Sequence, residues 1–94
     1  MKRAARIDAN QNEIVSQLRQ LGYEVLIISQ LKNCFDILVG ANGKNYAFEI
    51  KDGTRPPSQR KLTPGEIKFH NEWKGQINIV FDIHDCLNVI NGKI

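Results

Sequence analysis

Long apolar runs are missing from this chain. The longest, Val25-Leu26-Ile27-Ile28, falls far short of the roughly 20 residues that carry a helix across a bilayer, so no membrane partner is expected. Cysteine is scarce as well: Cys34 and Cys86 stand without the spacing of a zinc site or a redox pair, and the expectation is two buried free thiols in a reduced, cytoplasmic setting. Internal repeats and low-complexity segments are lacking. The basic start, Met1 to Arg6, is followed by Ile7-Asp8-Ala9-Asn10 instead of an apolar stretch, which does not read as a signal peptide. With 41% hydrophobic and 24% charged residues, disorder, collagen-like repeat and coiled coil are excluded as descriptions.

What is present is a globular composition over 94 residues, enough for a single domain spanning residues 1–94. A core this small often gains stability from a second subunit, and a homodimer is expected on that ground. The net charge of +3 favours anionic partners only weakly.

Two overlapping helix starts, Asp8 with Gln11 and Asn10 with Glu13, precede Ile14, Leu18 and Leu21 at helical spacing, and Gly22 offers a stop; the spacing predicts a helix from about Ala9 to Leu21. Tyr23 to Ser29 reads as a strand covered on both faces. Leu31-Lys32-Asn33 reads as a turn and Phe35 to Val39 as a strand. The Asn42-Gly43 pair then predicts a tight hairpin into a third strand, Asn45 to Lys51. The following stretch, Asp52 to Lys61, holds two prolines and reads as an extended basic loop. Thr63-Pro64-Gly65-Glu66 predicts a capped helix that runs to Gly75, with Ile67, His70 and Trp73 on one face. A fourth strand, Gln76 to Phe81, and a last helix starting at Asp82 or His84 complete the order α-β-β-β-α-β-α. The order predicts an α/β fold, an α-β-β-β-α-β core whose mixed sheet is flanked by helices, with a short C-terminal helix.

The chemistry-bearing feature is Asp36 inside an apolar strand, beside Glu49-Ile50-Lys51 at the end of the next one. Aspartate is disfavoured in strands, and a buried carboxylate needs a cation or hydrogen bonds to offset its desolvation. Strand alternation puts Glu49 and Lys51 on one face and Ile50 on the other, and the hairpin brings Asp36 toward Glu49. Two carboxylates with open positions suit Mg2+, and Mn2+ would accept the same oxygens. With a lysine alongside, the pattern points to phosphodiester hydrolysis. Glu13 reaches the same cluster if the first helix packs suitably on the sheet, or serves only as a cap. Arg55, Arg60 and Lys61, with Ser58 and Gln59, read as a phosphate-gripping loop. Glu66 reads as a helix cap and His70 as a packing residue. Trp73 reads as core, Asp52 is expected to point away from the site, and His84 with Cys86 makes no metal site.

Asp36, Glu49-Ile50-Lys51, the preceding helix with Glu13, and the run from Lys51-Asp52-Gly53 through Pro56-Pro57-Ser58-Gln59-Arg60-Lys61-Leu62-Thr63-Pro64 resemble a stand-alone VRR-NUC domain of the PD-(D/E)xK nuclease superfamily. The resemblance covers nearly the whole chain and implies a restriction-endonuclease-like fold. It implies Glu13, Asp36, Glu49 and Lys51 as catalytic residues and the Ile50 carbonyl as an additional metal ligand beside Glu13, Asp36 and Glu49. It further implies a phage-type homodimeric endonuclease for branched DNA such as the Holliday junction, acting in DNA repair and recombination within a bacterial or phage-infected cell. One position departs, since Phe35 stands where the superfamily pattern has proline. The competing expectations are a non-catalytic DNA-binding module on the same fold and a purely structural subunit.

Overall fold

The first helix, α1 (Gln11–Gln20), forms because Ile14, Val15 and Leu18 recur on one face, and all three are buried. Each such side chain contributes roughly 1.5–3 kcal/mol on leaving water. The helix stops in a left-handed turn: Gly22 adopts φ +94°, its N–H reaches the Arg19 carbonyl and that of Tyr23 reaches Leu18. Neither expected capping box forms at its start. Asn10 takes the N-cap position, yet its side-chain amide donates to the carbonyls of Lys51 (3.0 Å) and Phe81 (2.9 Å). Those carbonyls lie at strand ends and need a donor, which outweighs the local cap.

The computed structural model describes residues 8–93; the basic segment Met1 to Arg6 read above lies outside them. Among the described residues, β1 (Glu24–Ile27), β2 (Ile37–Ala41), β3 (Lys44–Ile50) and β4 (Asn78–Val80) form one mixed sheet in the order β1-β2-β3-β4. β1, β2 and β3 pair antiparallel, and β3 pairs parallel with β4. The β2–β3 connection is the two-residue hairpin expected: Asn42 (φ 56°) and Gly43 (φ 75°) both take positive angles, which a primed turn requires. Parallel pairing of β3 with β4 needs a crossover, supplied by the loop from residue 51, a short 3-10 turn (Pro57–Gln59) and α2 (Pro64–Glu72). The last helix, α3 (Ile83–Ile90), starts at Asp82, whose side chain accepts from the Asp85 N–H.

Ile37, Val39, Phe48, Ile50 and Val80 project from one sheet face into the core with α1, Cys86 and Ile90. The expectation of a doubly covered first strand is corrected here. β1 is an edge strand; Val25 is buried, but Leu26 and Ile27 are exposed. The second helix also ends earlier than Gly75: Trp73 is already extended (φ −69°, ψ 127°), and its ring stacks on Phe69 at 5.3 Å. No helix of the described residues is long and apolar enough to cross a membrane.

Candidate active site

Backbone register places the acidic pair. The last β2–β3 partners are Ile37 and Phe48, and the Asp36 N–H continues the ladder to the Phe48 carbonyl at 2.9 Å. One step further along, Asp36 lies across from Glu49 on the same sheet face, opposite the helix-covered core. The Asp36 Oδ2 atom accepts from the Ile50 N–H at 2.7 Å, which fixes the carboxylate against β3. Glu49 is 3% exposed and Lys51 8%, unusual for residues of these types unless they are paired.

These residues line an open cleft of about 280 Å³ together with Asp8, Ile50, Ser58, Gln59, Lys61, Thr63 and Glu66. The Ile50 side chain belongs to the core on the other face, so its contribution to the cleft is its main chain. Of the expected loop residues, Ser58, Gln59 and Lys61 are brought to the cleft. Arg55 is exposed and bonded to Gln59 Oε1 (3.1 Å), and Arg60 is half-buried; neither lines the wall.

Glu13 is not brought there. It is exposed on α1, a helix that packs on the core face of the sheet, whereas Glu49 and Lys51 emerge on the opposite face. Asp8, two residues ahead of the Asn10 latch, supplies the additional acidic residue of the cleft. Sequence reading missed it because Asp8 passed as a helix cap. The neighbouring Asn10 is held by two strand-end carbonyls far away in sequence, a contact that no local pattern signals.

The electrostatics follow from crowding. Burial pushes the Glu49 carboxyl up to about 9, with the nearby charges of Asp36 and Glu66 adding to the effect. Burial also raises Asp36, opposed by its bond from the Ile50 N–H. The two side chains are hydrogen-bonded to each other, so their titrations are linked. Burial works to lower the Lys51 ammonium pKa, but the bond to Glu66 (2.9 Å) and the charge of Glu49 (3.8 Å) outweigh it, and the net shift is upward. Glu66 is held below its ordinary value despite burial, because Thr63 N–H and Lys51 both donate to it. Asp52 turns away, as expected, accepting from Thr54 N–H and Oγ1.

Among the described residues, no group of three or more His, Cys, Asp and Glu side chains is able to hold a metal by itself. The two carboxylates that the strand register brings together here are Asp36 and Glu49, a donor set of the kind that suits an ion bound through one or two carboxylates and several waters. Comparison with family models, curated proteins and solved structures finds no match to this chain.

Proposed function

We propose that this protein is a divalent-metal-dependent endonuclease that hydrolyses DNA phosphodiester bonds. The observation that carries the reading is the convergence of Asp36, Glu49 and Lys51, from adjacent strand ends, on the wall of one cleft lined also by Ser58, Gln59 and Lys61 of the basic loop. A stable ion pair serving only the fold would not gather a surplus of carboxylates around one lysine, because the surplus costs desolvation.

Asp36 and Glu49 would hold Mg2+, or Mn2+ in its place. When bound, that ion supplies Lewis-acid polarisation of the phosphate and lowers the pKa of a water. Lys51 directs its ammonium at the phosphate oxygens, where negative charge grows in the transition state, and neutralises it. Lys61, Ser58 and Gln59 contact the sugar-phosphate backbone and fix its register, with Arg55 and Arg60 adding positive charge behind them. The resemblance to phage-type VRR-NUC domains favours branched DNA, and the four-way junction above all. The exposed side chains of Leu21, Leu26 and Ile27 at and beside the edge strand support the accompanying homodimer. Two free cysteines fit a reducing cytoplasm.

A panel of linear, flapped, forked and four-way DNA, incubated with Mg2+ or Mn2+, tests the reading. Cutting that requires the ion and is fastest on the four-way substrate is expected. Salt-sensitive binding without cutting on any substrate would point instead to a non-catalytic DNA-binding module.

A further inference from the structure

The packing of α2 is unusual for a helix in a domain this size. None of its nine residues is fully buried, and among the described residues its apolar attachment is confined to the Phe69 ring beside Phe35. Its contacts to β3 and the residue after it are polar. Glu66 Oε1 accepts from Lys51 Nζ at 2.9 Å while also accepting from the Thr63 N–H in the capping box. One turn later His70 Nε2 lies 3.7 Å from Glu49 Oε1; that nitrogen is buried, with no hydrogen-bond partner among the described residues.

The spacing explains why the two contacts, a hydrogen bond at Lys51 and an approach too close for an intervening water but without one at Glu49, fall side by side. Residues four apart on a helix are separated by about 6 Å along its axis. Residues two apart on a strand are separated by about 6.6 Å and share a face. Glu66 and His70 therefore meet Lys51 and Glu49 in reverse order, with α2 running back along β3. Phe35 closes the far side: its ring lies 6.3 Å from Phe69 and 6.1 Å from Trp73, tying the end of α2 to the start of β2 next to Asp36.

We propose that Glu66 and His70 are positioning residues, which hold Lys51 and Glu49 in their working geometry, so that docking of α2 onto β3 sets the site. The proposal rests on the nuclease reading for its effect on catalysis but not for its effect on structure. Glu66 carries two duties through one oxygen, and they are separable. Glu66→Gln retains an acceptor for the Thr63 N–H, because glutamine serves in a capping box, but removes the charge that restrains Lys51. Thr63→Ala does the opposite, removing the hydroxyl cap while leaving the ion pair in place. For His70, the imidazole acts through Glu49, in the manner of groups that orient a metal's carboxylate ligand from behind.

The test measures full-length wild-type protein, Glu66→Gln, Thr63→Ala and His70→Gln in three ways: single-turnover cleavage with Mg2+, DNA Kd without divalent ion, and acylation of individual lysines by mass spectrometry. Glu66→Gln should lower the cleavage rate about 10- to 100-fold, the usual size of such second-layer effects, with DNA Kd unchanged within about twofold. Acylation of Lys51 should rise, while that of the exposed Lys68 stays constant. His70→Gln should weaken Mg2+ binding, read by calorimetry without DNA, by a similar factor of about 10 to 100. Wild-type Lys51 acylation in Glu66→Gln, or an equal loss of rate in Thr63→Ala, would overturn the role of Glu66, and unchanged Mg2+ affinity in His70→Gln would overturn that of His70. If the wild-type protein cuts nothing, the nuclease reading fails, while the acylation and calorimetry results still decide whether α2 positions the two side chains.

Discussion

At the residue scale the decisive quantity is the protonation of Glu49. Its carboxyl rises from 4.5 in the unfolded chain to about 9 in the folded one, driven first by burial and then by Asp36 and Glu66. A group whose folded pKa is raised contributes stability that is complete below its unfolded value and is lost as pH climbs through the folded value. Metal-free protein is therefore expected to lose thermal stability steadily between about pH 5 and pH 9. Glu49→Gln, which is neutral and of the same shape, should remove most of that decline and melt higher than wild type at pH 8. Mg2+ should reverse the order, because it stabilises only the chain that retains the carboxylate. Melting curves of both proteins across this range, with and without Mg2+, measure it. Parallel curves for the two proteins would show that Glu49 does not carry the surplus charge.

At the element scale, the strands and helices were legible where local chemistry decides them and obscure where tertiary contacts do. The Asn42-Gly43 hairpin, the Thr63–Glu66 capping box and the Gly22 stop all formed as read, since each depends on backbone angles or bonds within a few residues. The Asp36–Glu49 juxtaposition was legible for the same reason: a two-residue turn fixes the register of both strands. Asn10 was misread because its amide serves carbonyls 41 and 71 residues away. Its loss should be felt accordingly. Asn10→Ala removes two hydrogen bonds between α1 and the sheet ends and is expected to cost about 1–3 kcal/mol, at roughly 0.5–1.5 kcal/mol per bond. Urea unfolding checks this figure, and a change below the error of the midpoint would show that water replaces the amide without loss. Phe35 belongs to the same class of contact. Where the resembled superfamily places proline, this chain places a buried ring against Phe69 and Trp73, and only the assembled fold reveals what the ring is for.

At the scale of the whole molecule, the sheet separates two functions by face. One face is sealed by α1 and α3 around Phe48, Ile50 and Val80, while the other presents Asp36, Glu49 and Lys51 beneath α2 and the basic loop. Glu13 could not be sorted from sequence because helical periodicity gives the buried stripe of α1 but not the sheet face on which that helix lies. The net charge of +3 is too small to direct DNA by itself, so binding should depend on the loop. Replacing Lys61, which lines the cleft, with alanine should weaken binding to all DNA sequences alike and reduce the slope of log Kd against log salt by about 1. Fluorescence anisotropy over a salt series reads that slope; an unchanged value would place the phosphate contacts elsewhere.

The central claim is that Asp36, Glu49 and Lys51 together cut a sugar-phosphate chain with the help of a divalent ion. Nicking of supercoiled plasmid by wild type, Glu49→Gln and Lys51→Ala, each shown by circular dichroism to be folded, tests it most directly. The account predicts nicking by wild type that starts on addition of Mg2+ and stops with a chelator, and none by either variant. Nicking by all three proteins at the same rate, or by none, would contradict it.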